Sequence, residues 1–363
     1  MAILKKTYII LLLTAMAVSL NSCYTEFDPH IDSTPVLCMN SIITPGDSIA
    51  LFLTRTWSWT EGDEDKIDLN VRDAEVRMIV NGQFKETLTH RVIDNPDYFF
   101  GPYHKRRECY VGEYRPESGD IIRLEAISPR YGNASAEVTV PYPVPIDRIE
   151  AQVQNCIAYG DTTGFPTVAN ECRFDLNFKL LAYFTDPSES TDYYDLRAGY
   201  SPAYGNFDED AYGQPGYRYP SIDFSGEPLL TEHVSVLESV TGDTYGYTVF
   251  SDRQINGVTY PLRITVNNYT FYYRNPIDLP GPKETGITVQ LCHIDQPYYK
   301  HVISVWEGND GITGALGGVG LASPVYPWSN VSTGAGVVAT YAKSEMTIPI
   351  VHIIELAQQG IFQ

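Results

Sequence analysis

The sequence predicts a mainly β protein. An immunoglobulin-like β-sandwich is expected over residues 35–145, followed by a second β-rich domain with one or two short helices over 146–363. Three observations predict it. Short runs of alternating apolar residues recur between Gly, Pro, Asn and Asp turns along most of the chain. Tyrosine is abundant, at 27 of 363 residues, and its ring packs on a pleated surface while its hydroxyl stays wet. Helical spacing is clear in one stretch, where Tyr299, Val302, Ile303 and Trp306 share a face between Gln296 and Gly308.

The elements follow in order. Residues 1–22 carry Lys5, Lys6 and an apolar run from Tyr8 to Val18. That run is shorter than the ~20 residues a membrane span needs and suits a signal peptide. Leu20-Asn21-Ser22-Cys23 closes it in the pattern of a lipobox, which makes Cys23 the expected lipidated first residue of the mature chain. The alternatives are an uncleaved anchor or ordinary signal cleavage. Tyr24, in place of Asp, lacks the common inner-membrane retention signal, and Glu26 and Asp28 follow closely. Residues 23–34 then read as a polar tether.

Val36 to Ile43 reads as a strand, Thr44-Pro45-Gly46-Asp47 as a turn, and Ser48 to Thr54 as the returning strand. Ala74, Val76 and Met78 alternate into Asn81-Gly82, a hairpin signal. Ile121 to Ile127 and Ala134 to Val140 form a further pair. Pro141 to Pro145 is a stiff linker. Beyond it, Arg173 to Tyr183 places Phe174, Leu176, Phe178 and Leu180 on one face. Tyr193 to Tyr219 reads as a long loop or ragged hairpins, and Val234 to Val240 as a short helix. Asn256-Gly257 is expected to turn a hairpin within Tyr247 to Phe271. Gly286 to Ile294, Gly336 to Tyr341 and Thr347 to Ile354 read as strands. No repeat of fixed period is present.

Function classes narrow by charge and motif. A net charge of −20 argues against nucleic acid and against docking on anionic lipid. No Cys-x-x-Cys, His-Glu-x-x-His or Gly-x-Ser-x-Gly pattern occurs, and no metal, cofactor or catalytic residue is selected. His352 and Glu355 would fall on opposite faces of a strand. The acids at 61, 63 and 65 and at 208 and 210 read as solvated turns rather than Ca²⁺ loops. With Cys23 lipidated, Cys156 and Cys172 are the preferred disulfide, Cys38 and Cys109 are a second possible pair, and Cys292 reads as a buried hydrophobe. Candidate contact residues are Trp57 and Trp59, along with Tyr193, Tyr194, Tyr200, Tyr204, Tyr212, Tyr217 and Tyr219.

Several segments, in order, resemble one family. They are Pro45-Gly46-Asp47, Asp73-Ala74-Glu75-Val76 and Ala136 to Pro141 in the first half. Phe250-Ser251-Asp252-Arg253-Gln254-Ile255-Asn256-Gly257, Gln296-Pro297-Tyr298-Tyr299-Lys300 and Pro327 to Tyr341 follow in the second. Together they resemble a Bacteroidetes lipoprotein family, domain of unknown function 4249. Ala335-Gly336-Val337-Val338 departs from its more usual Leu-Gly-Ile-Phe. The resemblance implies a β-rich lipoprotein of the cell envelope, often encoded beside a TonB-dependent outer-membrane receptor, and implies no known reaction. The expectation is therefore a palmitate-bearing outer-membrane protein, surface-facing in preference to periplasmic. Its expected role is as a non-enzymatic accessory or ligand-capture partner of such a receptor. A surface glycan or peptide hydrolase and an adhesive or structural envelope protein are the alternatives.

Overall fold

A computed structural model describes residues 34–58, 67–94, 106–163, 165, 172–201, 221–231, 248–273, 285–309, 323 and 325–360. Within it, Pro35–Gln363 form one compact unit. The mainly β expectation holds. The first strands are β1 (Leu37–Ile43), β2 (Ala50–Arg55), β3 (Glu75–Val80), β4 (Gln83–Asp94), β5 (Arg106–Val111), β6 (Ile121–Ser128) and β7 (Gly132–Thr139). After them come β8 (Ile146–Gly160), β9 (Cys172–Thr185), β10 (Tyr193–Ser201), β11 (Ser221–Asp223), β12 (Val249–Ser251), β13 (Thr259–Tyr273), β14 (Gly286–Ile294) and β15 (Ala335–Pro349). Two helices complete the set, α1 (Gln296–Asn309) and α2 (Ile350–Gln358). No helix among the described residues is long and apolar enough to cross a membrane.

The strands form two sheets. One has eleven strands in the order β12-β10-β14-β15-β1-β2-β5-β4-β3-β6-β7, and the other has four in the order β11-β13-β9-β8. All pairings are antiparallel except β1 with β15, which run parallel from Cys38↔Ala335 to Ile43↔Thr340. The large sheet takes strands from both sides of residue 145 and curls over at its far end. Leu37 and Met39 of β1 share a core with Met78 of β3, Leu124 of β6 and Val138 of β7, so the faces of one sheet meet. A bridge from Ser135 to Ser332 brings β7 back against the entry to β15. The second core lies between the sheets. Phe174, Phe178 and Phe184 of β9 pack with Ile264 of β13, Leu196 of β10 and Val289 of β14.

Local chemistry explains the elements. Asn81 and Gly82 both take positive φ, 52° and 76°, as the tight turn between β3 and β4 requires. Inward residues of β9 alternate without a break from Cys172 to Phe184. α1 buries Tyr299, Ile303 and Trp306, one turn or so apart, and Tyr299 and Ile303 cluster with Val249 of β12 and with Cys292 and Ile294 of β14.

Other expectations are corrected. Ile350 to Ile354 are helical, not extended. Pro349 ends the β15 ladder, and Ile350, Ile353, Ile354 and Ala357 then fall at helical spacing on the core, which outweighs the strand preference of their β-branched side chains. His352 and Glu355 therefore share one side of α2, where both are exposed. Asn256-Gly257 turns the chain between sheets rather than within a hairpin, since β12 pairs with β10 whereas β13 pairs with β9. Tyr193–Ser201 is an interior strand rather than a loop. The preferred disulfide does not form, and Cys156 and Cys172 are free thiols. Cys156 sits opposite Leu176 and Cys172 opposite Gly160. An offset of four residues is about 13 Å of strand, beyond the ~7 Å a disulfide spans. Cys38 and Cys109 are also free; β2 separates β1 from β5, a gap of about 10 Å. The short helix expected over Val234 to Val240 lies outside the described residues.

Candidate functional site

One end of the second core is closed by three carboxylates. Asp186 follows β9, Asp192 precedes β10, and Asp252 opens a 3-10 turn after β12. They are 2%, 5% and 2% exposed, and a ligand atom of each lies within 4.8 Å of the others. Each receives two donors from the chain. Asp186 accepts the Tyr194 hydroxyl at 2.6 Å and the Gly257 N–H at 3.0 Å. Asp192 accepts the Ser190 hydroxyl at 2.7 Å, and its other oxygen lies 3.1 Å from His293 Nε2. Asp252 accepts the Asp192 N–H at 2.9 Å and the Asn256 amide at 3.2 Å. His293 Nδ1 lies 2.7 Å from the carbonyl of Tyr142, within the proline-rich segment between β7 and β8.

The electrostatics follow from burial. Desolvation pushes the Asp186 carboxyl up, and the nearby Asp252 and Asp192 add to it, while the Tyr194 and Gly257 donors oppose it. Burial, and then Asp186, hold the Tyr194 phenol far above its ordinary range. The cluster joins the end of β9, the starts of β10 and β13, β14 and the segment at Tyr142. The donors it needs are internal, and its oxygens are sealed from solvent, so a glycan or peptide has no approach to a carboxylate pair here. It is a hydrogen-bonded knot that ties the two sheets together.

A second polar network lies under α1 on the outer face of the large sheet. Arg197 Nε donates to Asp195 at 2.8 Å, and its Nη2 donates to the Tyr298 hydroxyl at 2.9 Å. Thr248 donates to the other Asp195 oxygen at 2.5 Å. Tyr193 packs on Tyr299 with ring centroids 4.6 Å apart. Cys292 lies beneath, and burial above all pushes its thiol up to about 11.

The expected contact residues scatter over this framework. Tyr194 is fully buried in the second core and so is no surface contact, while Tyr193 is half-buried beside α1. Tyr200 is on β10 opposite Ile287. Trp57 is half-buried just after β2, and its indole N–H is buried with no hydrogen-bond partner. Trp59, Tyr204, Tyr212, Tyr217, Tyr219 and Cys23 lie outside the described residues, as do the acids at 61, 63, 65, 208 and 210. Asp186, Asp192 and His293 carried no motif. Their one sequence signal is a pair of aspartates framing Pro187-Ser188-Glu189-Ser190-Thr191 at a strand end.

The ordered segments of the resemblance prove structural. Asp252, Asn256 and Gly257 belong to the knot. Asn330 clamps Val338 through both backbone groups, at 2.8 and 3.1 Å. Asn40 accepts the Val337 N–H at 3.1 Å. A side chain on Gly334 would meet the Leu37 carbonyl at 2.6 Å. Thr333, β-branched yet at φ 59°, donates its hydroxyl to the Asn133 carbonyl at 2.6 Å. The motif thus fixes the entry to β15 against β1 and β7.

A family model described as "Domain of unknown function (DUF4249)" matches residues 24–347. No curated protein and no solved structure matches the chain.

Proposed function

The chain belongs to the DUF4249 family, and on that premise we propose that it is a lipid-anchored protein of the bacterial outer membrane, a non-enzymatic accessory or ligand-capture partner of a TonB-dependent receptor. One observation carries the reading. Leu20-Asn21-Ser22-Cys23 ends a signal-like segment, and the family match begins at the next residue, Tyr24. The polar stretch of residues 23–34 serves in this reading as the tether between lipid and body. The strongly acidic composition suits a body held off an anionic membrane surface rather than pressed onto it.

The test has two arms. Cys23→Ala should abolish palmitate labelling and release the protein from the membrane fraction; labelling that persists would refute the anchor. Affinity purification of the tagged wild-type protein from detergent-solubilised outer membranes should recover a TonB-dependent receptor. A clean monomer under mild detergent would remove the receptor partnership and leave the anchor standing.

A further inference from the structure

Among the described residues, every sheet edge is short or covered except one. β11 and β12 end their sheets with three residues each. β7 is backed by the entry to β15, through the Ser135–Ser332 bridge and the bond from the Thr340 hydroxyl to the Thr139 carbonyl at 2.9 Å. β8 is the exception. It runs for 15 residues at the end of the four-stranded sheet and pairs with β9 on one side alone. At its start the Ile146 N–H donates to the Ser344 hydroxyl at 2.9 Å. Beyond that point no described strand pairs with its free side. A row of open N–H and C=O groups is a template for another strand.

The two halves of β8 differ. The first carries Asp147, Arg148 and Glu150, and charges of this kind discourage pairing at an edge. Then the charge stops. Charged residues make up 19% of the chain, yet none, and no proline, lies within residues 151–160, so nothing in this half opposes an incoming strand. A register shift between Val153 and Asn155 interrupts the ladder, which leaves 155–160 as the regular stretch. Ile157 and Tyr159 stand exposed there, at 45% and 47%, on the face turned away from the core. The charges beside them on β9 are matched. Arg173 lies over the Tyr159 ring and pairs with Asp175, which sits opposite Ile157.

We propose that this edge joins two copies of the chain, with β8 pairing antiparallel to β8 of the second copy about a two-fold axis at Ile157. Symmetry selects the partner. In such a pair each residue faces one from the same stretch, so charged residues near the axis would meet their like. A neutral stretch escapes this, and a body of net charge −20 has few other places to meet its own copy without repulsion. Directly opposed residues of an antiparallel pair share a face, so the axis passes through a residue rather than between two. At Ile157 it sets two exposed isoleucines against each other. Tyr159 then lies opposite Asn155, and Cys156 opposite Ala158, with Glu150 and Asp161 outside the paired stretch. Joined this way, the four-stranded sheets of the two copies become one continuous sheet.

The test uses the full-length protein purified from membranes in mild detergent. Native mass spectrometry should give a species of two chains. Ile157→Lys sets two ammonium groups face to face and should weaken that species by more than about tenfold. Val92→Lys, at a residue 59% exposed on β4, should leave it unchanged. A second variant keeps the test independent of any folding defect from the lysine. In a chain carrying Cys38→Ala and Cys156→Ala, Ile157→Cys should form an intermolecular disulfide under mild oxidation, because opposed Cα atoms lie about 4.5–5.5 Å apart. It is read as a two-chain band on a non-reducing gel, and Val92→Cys in the same background should give none. Single chains in the wild type, or no band from Ile157→Cys, would overturn the proposal. So would a species of one copy with a different protein that Ile157→Lys abolishes, since the edge would then serve another partner.

Discussion

Tyr194 shows how much one side chain carries in the knot. Its ring is packed by Phe184 and Phe250, with centroids 5.2 and 5.3 Å away, and its hydroxyl is one of two donors to Asp186. Tyr194→Phe keeps the ring and removes the donor, which leaves a buried carboxylate oxygen unpaired. It should cost about 1–3 kcal/mol, read as a lower urea midpoint with an unchanged slope. Asp186 itself was not legible in the sequence. Its partners come from β10, from the turn before β13 and from neighbouring acids, and residue spacing alone does not reveal such a meeting. Trp57 was legible only as an aromatic on an extended segment; that its N–H would be buried without a partner depends on neighbours distant in sequence.

Among the elements, β15 repays attention because two glycines admit it. Gly336 has φ +94°, and a side chain there would come within 2.3 Å of the Met39 carbonyl. Gly336→Ala should destabilise the fold by about 3 kcal/mol or more, through backbone strain and collision together. Gly46, at φ +84° with nothing within 4 Å, isolates the strain alone, and Gly46→Ala should cost about 1 kcal/mol. Equilibrium denaturation of both variants checks the difference. The same elements show where pattern succeeds. β9, β14 and α1 were legible because each has one buried face, which imposes its period on the sequence. α2 was not, because its Ile and Val residues suit a strand as well as a buried helix, and only the packing decides. The Asn256-Gly257 turn was visible, but a turn does not say which sheet receives the next strand.

At the scale of the whole molecule, class was legible and topology was not. Alternation and turn residues report that strands exist, while the order of an eleven-stranded sheet depends on pairings between distant segments. The parallel contact of β1 with β15 is the extreme case: Asn40 bonds Val337 across 297 positions, and Val331 and Val338 complete a core otherwise built from residues before 145. That pairing sets an order of events in time. The first strand to leave the ribosome waits for almost the last one before its edge is covered and its core is filled, so closing this contact carries the entropy of nearly the whole chain. Until then the strands before residue 145 carry an open edge, and the nascent protein depends on being kept from its neighbours until that contact closes.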